Sequence, residues 1–237
     1  MRALISSFSQ FCNQIAKDSM LLMVCIAPFL CGMFFKFGIP FAETALTSYF
    51  HLSSIFAPYY LAFDLFFAIL TSYMFCFASA MVILGEIDDN ISNYLAATPI
   101  GKSGYLISRI GFPTILSIVV TCILFPVFSL TKLSFMMILL VSILSGFSSI
   151  IASMLIITFS TNKVEGMALA KLAGLIMLGT PIPFFVTGKE QYLAFFLPSF
   201  WLAKLAIETN YCYSIGALAS SAVWGYLLYK KFIRKVL

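Results

Sequence analysis

Charge is absent from this chain over long distances. Residues 19–35, 65–85, 110–131, 133–162, 172–188 and 209–229 contain no Asp, Glu, Lys or Arg. About 20 mostly apolar residues suffice to cross the hydrocarbon of a bilayer. Of the 237 residues 62% are hydrophobic and 10% charged, against roughly half and a quarter in ordinary soluble domains. A water-soluble monomer is excluded, because the polar residues are too few to cover its surface. The expected fold is all-α: one polytopic transmembrane domain over residues 1–237, with spans near 20–37, 56–84, 107–129, 134–160, 168–187 and 210–229.

Basic residues set the expected orientation, since Lys and Arg close to span ends are retained on the cytoplasmic side. Six spans with both termini inside put Arg2, Lys17, Lys102, Arg109, Lys163, Lys171, Lys230, Lys231, Arg234 and Lys235 in the cytoplasm. Lys36, Lys132, Lys189 and Lys204 are then outside. This fits a bacterial plasma-membrane protein. The net charge of +5 reads as topology and contact with anionic headgroups, and no nucleic-acid partner is expected, because the basic residues flank spans.

Ahead of the first span, Leu4, Ile5, Phe8, Phe11, Cys12 and Ile15 recur at helical spacing, opposite Ser6, Ser9, Asn13, Gln14 and Lys17. That pattern predicts an amphipathic elbow helix over residues 1–18, lying in the interface. No small-x-small cleavage site follows, so a signal peptide is not expected. Cys25, Cys31, Cys76 and Cys122 fall within spans and read as small packing residues rather than disulfides or metal ligands. Ser142, Ser145, Gly146, Ser149 and Ser153 in span four, and Gly216, Ala217, Ser220, Ser221 and Gly225 in span six, allow close helix packing. Packing within the bundle is the favoured use of both runs.

The longest cytoplasmic stretch, the coupling loop 85–106, is the most informative. Glu86, Asp88 and Asp89 open it, Ile91, Tyr94 and Leu95 recur at helical spacing, and Thr98-Pro99 ends that turn. A short amphipathic helix along the membrane face is expected. Ala96 to Ser103 also fits a permissive phosphate-loop pattern, but a working one sits between a buried strand and a helix. Asp88 and Asp89 suggest a second reading, a metal-dependent membrane enzyme of lipid or isoprenoid chemistry. No second acidic cluster accompanies them. Asp64 is the one carboxylate placed well inside a span, so it is a functional candidate, with Tyr60, Phe63 and Phe67 as an aromatic wall for an amphipathic or cationic substrate.

Three segments resemble the permease subunits of type-2 ABC exporters. They are Glu86 with LAATPI (Leu95 to Ile100), NKVEGMALAKL (Asn162 to Leu172), and PSFW (Pro198 to Trp201). The resemblance implies a transport subunit and not an enzyme. It further implies a second permease copy or related subunit and separate ABC ATPase subunits, with no cofactor in this chain because ATP and Mg belong to the partner. It makes Glu86, Asp88, Asp89, Ile91, Tyr94, Leu95, Thr98 and Pro99 the ATPase-coupling residues. Asn162, Lys163, Glu165 and Lys171 form a second cytoplasmic loop, and Pro198, Phe200 and Trp201 an outer gate. Charge placement and Pro198 favour an outer re-entrant segment at 188–208 over a seventh span.

Overall fold

The computed structural model describes residues 2–89, 91 and 101–236, and these contain helices and connecting turns with no strand. Helix α1 covers Arg2–Lys17. After Asp18 the chain turns into α2, Ser19–Phe50, which is unbroken across a π turn at Phe34–Gly38. Helix α3 is Ala57–Asp88. Helix α4 starts at Gly101, takes a second π turn at Ile107–Gly111 and ends at Phe128. Helix α5 is Phe135–Phe159. Helix α6, Lys163–Ala173, runs into 3-10 turns at Gly174–Gly179 and a short α7, Ile182–Phe185. A further 3-10 segment at Lys189–Ala194 precedes α8, Pro198–Glu208, and α9, Tyr213–Val236.

Four of these helices, α2 to α5, are long and apolar enough to cross a membrane. The first was expected to end near residue 37 and instead continues to Phe50, because the π turn absorbs the Gly38-Ile39-Pro40 sequence without breaking the rod. The fifth expected span, 168–187, is a helix broken after Ala173, in keeping with Pro181 and Pro183 beyond it. The sixth is a continuous helix, Tyr213–Val236, less apolar than the other four because Ser, Gly, Tyr and Trp residues are spread along it.

Helix α3 is the hub. It packs on α2, α4, α5, α6 and α8, and Leu65, Ala68, Ile69, Ala80, Met81, Ile83 and Leu84 along it are buried. The small residues of α5 pack within the bundle, where a Cβ on Gly146 would lie 2.6 Å from Ile118 of α4, whereas one on Gly225 of α9 would meet nothing within 4 Å. Ser72, Thr121 and Ser145 join α3, α4 and α5 through hydroxyl contacts of 3.0 Å. All six cysteines are free thiols.

Between α7 and α9 the chain folds inward and back. The indole N–H of Trp224 donates to the Phe196 carbonyl at 2.8 Å, and that of Trp201 to the Phe195 carbonyl. Trp224 lies eleven residues along α9 from Tyr213, roughly 16 Å at 1.5 Å per residue. The turn at 195–197 therefore reaches deep beside α9, and α8, too short to cross a bilayer, returns the chain. Pro198 and Phe200 are buried in that return, Trp201 is half-buried, and Ser199 donates to the Ile176 carbonyl.

Gly179 permits this closeness. A Cβ there would collide with Ser199 Oγ and sit 2.7 Å from the Phe200 nitrogen. Because one of those atoms is backbone, Gly179→Val is expected to cost about 1–3 kcal/mol by overpacking. Thermal unfolding in detergent checks this against Gly174→Val, where the first added carbon meets nothing within 4 Å and a markedly smaller loss is expected.

Candidate functional site

The basic end of the bundle gathers α1, the ends of α3, α5 and α9, and the starts of α4 and α6. At its centre a full charge pair is sealed from solvent. Arg109, carried on the second π turn, is fully buried, and its Nη2 lies 2.5 Å from Glu86 Oε1 with Glu86 only 2% exposed. Its Nε donates to both Glu86 oxygens at 3.0 Å, and Nη1 donates to the Ser7 carbonyl at 2.8 Å. Tyr105 Oη and Gln14 Nε2 also donate to Glu86. Ser79 donates to the Arg109 carbonyl, and the Phe11 and Tyr105 rings lie 5.7 Å from the guanidinium carbon. Every strong donor around Glu86 is therefore met, which a buried pair requires if it is not to be a large penalty.

The elbow helix follows the sequence pattern in part, with Ile15 packed on the core beside Phe8 and Phe11. Its inward face is Ser7, Phe8, Phe11 and Gln14, which reach the ion pair and the core, while Cys12 turns to solvent. Contact with Arg109 draws Ser7 inward, because an unpaired buried guanidinium costs more than an exposed Cys12 side chain. Arg109 was placed on the cytoplasmic side at a span end and Glu86 among the coupling residues, and the side chains of both are buried. The signal for the pair was present in an arginine that directly precedes a 22-residue uncharged run.

A second knot joins the next loop to this corner. Asn162 caps α6 by accepting the Glu165 N–H at 2.8 Å, and Glu165 accepts from the Thr161 N–H and hydroxyl, a close variant of the capping box. Those Thr161 donors hold the Glu165 carboxyl below its usual range. The Lys163 backbone N–H donates to Asp88 at 2.9 Å while its ammonium meets Asp18 at 2.5 Å. Asp18 also accepts from the Met20 and Leu21 N–H groups at the start of α2. The Lys163 contact, with these two, holds the Asp18 carboxyl low. Gly166 lets α6 press on α3, since a Cβ there would collide with Leu84. Loop 160–163 is thus bonded both to the exit of α3 and to the entry of α2.

Among the coupling residues, Asp88 and Asp89 are exposed and Ile91 is 38% exposed, whereas Tyr94, Leu95, Thr98 and Pro99 lie outside the described residues. Lys171 is exposed, eight residues along α6 from Lys163. Polar recesses flank Glu86. One of about 150 Å³ is lined by Asp18, Gly85, Asp89 and Lys163, and one of about 360 Å³ by Gln10, Asn13, Lys17 and Ile91. Among the described residues no group of three His, Cys, Asp or Glu side chains stands together to hold a metal ion.

At the opposite end, Asp64 is buried but not in an open passage. Its carboxylate accepts the Leu130 and Thr131 N–H groups at 2.8 Å each, and the Thr131 hydroxyl. Phe67 is buried against Phe35 and Phe128, and Phe63 and Tyr60 border the same cluster. Glu43 makes the matching contact on α2, accepting from Ile55, Phe56 and Ala57 at the start of α3. The sequence reading missed Glu43, Asp18 and Lys36, whose ammonium caps α4 at the Val127 carbonyl.

Two curated proteins of Mycobacterium tuberculosis are similar in sequence, the fluoroquinolones export permease proteins MT2760 of strain CDC 1551 / Oshkosh and Rv2686c of strain ATCC 25618 / H37Rv. Each is 24% identical over 179 residues, covering 71% of this chain and 70% of the relative. No solved structure matches. The family model described as fluoroquinolones export permease protein Rv2686c-like matches residues 11–229, and the chain belongs to that family of export permeases.

Proposed function

We propose that this permease forms the translocation pathway of an ATP-driven exporter, paired with a second permease copy or a related subunit and moved by separate ATPase subunits that hold ATP and Mg. The observation that carries this reading is the bonded corner at the basic end. Closure of an ATPase dimer must push on something stiff to reorient helices, and there the ends of α2, α3, α4 and α6 are joined through Glu86, Arg109, Asp18, Asp88 and Lys163. Both termini lie in the cytoplasm in this reading, with the 85–106 stretch as the lever and the 188–208 segment as the outer gate. The names of the relatives point to fluoroquinolones as the first compounds to assay.

Co-purification tests the partnership. An ATPase subunit should come down with the full chain from native membranes, and its repeated absence would remove the ATP-driven reading. Coupling is tested separately by Tyr94→Ala with Leu95→Ala, because an apolar helix face presented to the cytoplasm is a docking surface. The double variant is expected to fold and to bind substrate while losing most substrate-stimulated ATPase activity in the assembled complex. Unchanged stimulation and transport would take the loop out of the mechanism.

A further inference from the structure

The exposed side of the α5–α6 corner, at the basic end, carries a feature with no place in the coupling contacts. Leu155 and Phe159 at the end of α5, with Leu169, Leu172 and Ala173 of α6, line an apolar slot of about 180 Å³. It opens on the surface, where Phe159 and Leu172 are 50% and 61% exposed. Its far wall is thin because α6 ends at Ala173 and gives way to 3-10 turns. Above it stand the last two turns of α9. Lys231 lies 5.3 Å over the Phe159 ring, and Lys235, four residues on and so on the same helix face, feels the charge of Glu165. Lys230 and Arg234 flank them and are exposed. Glu165, the acid whose charge reaches Lys235, is already held by Thr161.

We propose that this corner is a binding site for one anionic phospholipid, with the phosphate on Lys231 and Lys235 and an acyl chain in the slot. Charge complementarity selects the occupant. Four cations within the last two turns of α9, at the level where α5 exits and α6 enters, suit the headgroup layer, and basic pockets between membrane helices take anionic headgroups. The slot beneath is almost wholly apolar, which a free anion would leave empty and an acyl chain would fill. The Lys231 ammonium over the Phe159 ring marks the junction of the two halves. A lipid bound there would brace α6 against α5 beside the loop that bonds Asp18 and Asp88.

Native mass spectrometry of the delipidated full chain, titrated with dioleoyl phosphatidylglycerol and dioleoyl phosphatidylcholine, reads the site without any ATPase. The first bound lipid should be the phosphatidylglycerol. Each lysine near a surface contributes about 1 kcal/mol toward an anionic lipid, so Lys231→Gln with Lys235→Gln should weaken its binding roughly thirtyfold. The charge-matched control, Lys132→Gln with Lys189→Gln at the opposite end, should leave it unchanged. Leu172→Gln, at the mouth of the slot, should lower retention of both lipids. A photoactivatable acyl chain should label the 155–173 segment, and glycerol phosphate should not compete. Equal binding of the two lipids, equal losses in the control, competition by glycerol phosphate, or labelling confined to other segments would each overturn the site. A variant that no longer runs as a single species on size exclusion would be replaced by Lys231→Arg, which keeps the charge and is expected to keep the lipid.

Discussion

Arg109→Met should leave little folded permease. The substitution strips the guanidinium from Glu86, which then stays buried with a full charge and only the Tyr105 hydroxyl and the Gln14 amide as donors. Breaking a buried pair from one side costs about 3–5 kcal/mol, a large part of the 5–15 kcal/mol typical of a whole domain. It also frees α1, because the Arg109 bond to the Ser7 carbonyl is a principal tie between that helix and the bundle. The discriminating variant is the double one, Glu86→Gln with Arg109→Met. With both charges gone, the introduced amide can still pair with Tyr105 and Gln14, and the methionine fills the space between Phe11 and Tyr105. The double variant is expected to be more stable than Arg109→Met alone, by thermal unfolding in detergent and by yield on size exclusion. If the two are equally damaged, the loss is one of volume and the ion pair is not what holds the corner.

Much of the helical frame was legible because lipid leaves so few solutions. A charge-free run of 20 or more residues must become a helix when no water is present to meet its backbone, and α3 and α5 follow the gaps around 65–85 and 133–162 closely. What charge gaps do not encode is the direction in which the bordering charges point. Arg109 and Lys36 both border apolar runs and were placed at span ends, one on the cytoplasmic side and one outside, yet each sits on a π turn and reaches into the bundle, one to Glu86 and one to the carbonyl end of α4. A π turn adds a residue to the helix and re-aims the side chains after it, and nothing in the local composition announces it. The elbow face was legible only in part, with Phe8, Phe11 and Ile15 packed on the core as the pattern implies, for a related reason. Amphipathicity sorts residues by affinity for lipid, but Ser7 and Gln14 are drawn inward by a partner more than 70 residues away. The capping of α6 was partly visible, since Asn162 and Glu165 have the spacing of a helix start; the bond from Lys163 to Asp18 spans 145 residues and was not.

Asp64 separates a structural from a transport role most sharply. Its expected depth rests on distance along the span, about 12 Å from the expected start at residue 56 at 1.5 Å per residue, and a lone acid at mid-bilayer would be a functional group by default. The structure brings the turn between α4 and α5 down to it. Oδ1 accepts from the Leu130 N–H, and Oδ2 from the Thr131 N–H and hydroxyl, so the carboxylate closes a turn and lies at the level of that turn. Asn cannot reproduce this, because its amide nitrogen would face a donor in place of one oxygen. A buried donor left unmet costs about 1–3 kcal/mol, so Asp64→Asn is expected to lose roughly that amount. Asp64→Ala, which abandons all three donors, should lose on the order of 3 kcal/mol or more. Thr131→Val removes only the hydroxyl and should cost about 1 kcal/mol. The ranking Ala, then Asn, then Val is read by thermal unfolding. Transport of cationic and of neutral substrates should fall together, in proportion to the folded protein recovered. A loss confined to cations at undiminished stability would return Asp64, with Tyr60, Phe63 and Phe67, to the substrate path, since a group that only closes a turn has no means of telling one cargo's charge from another's.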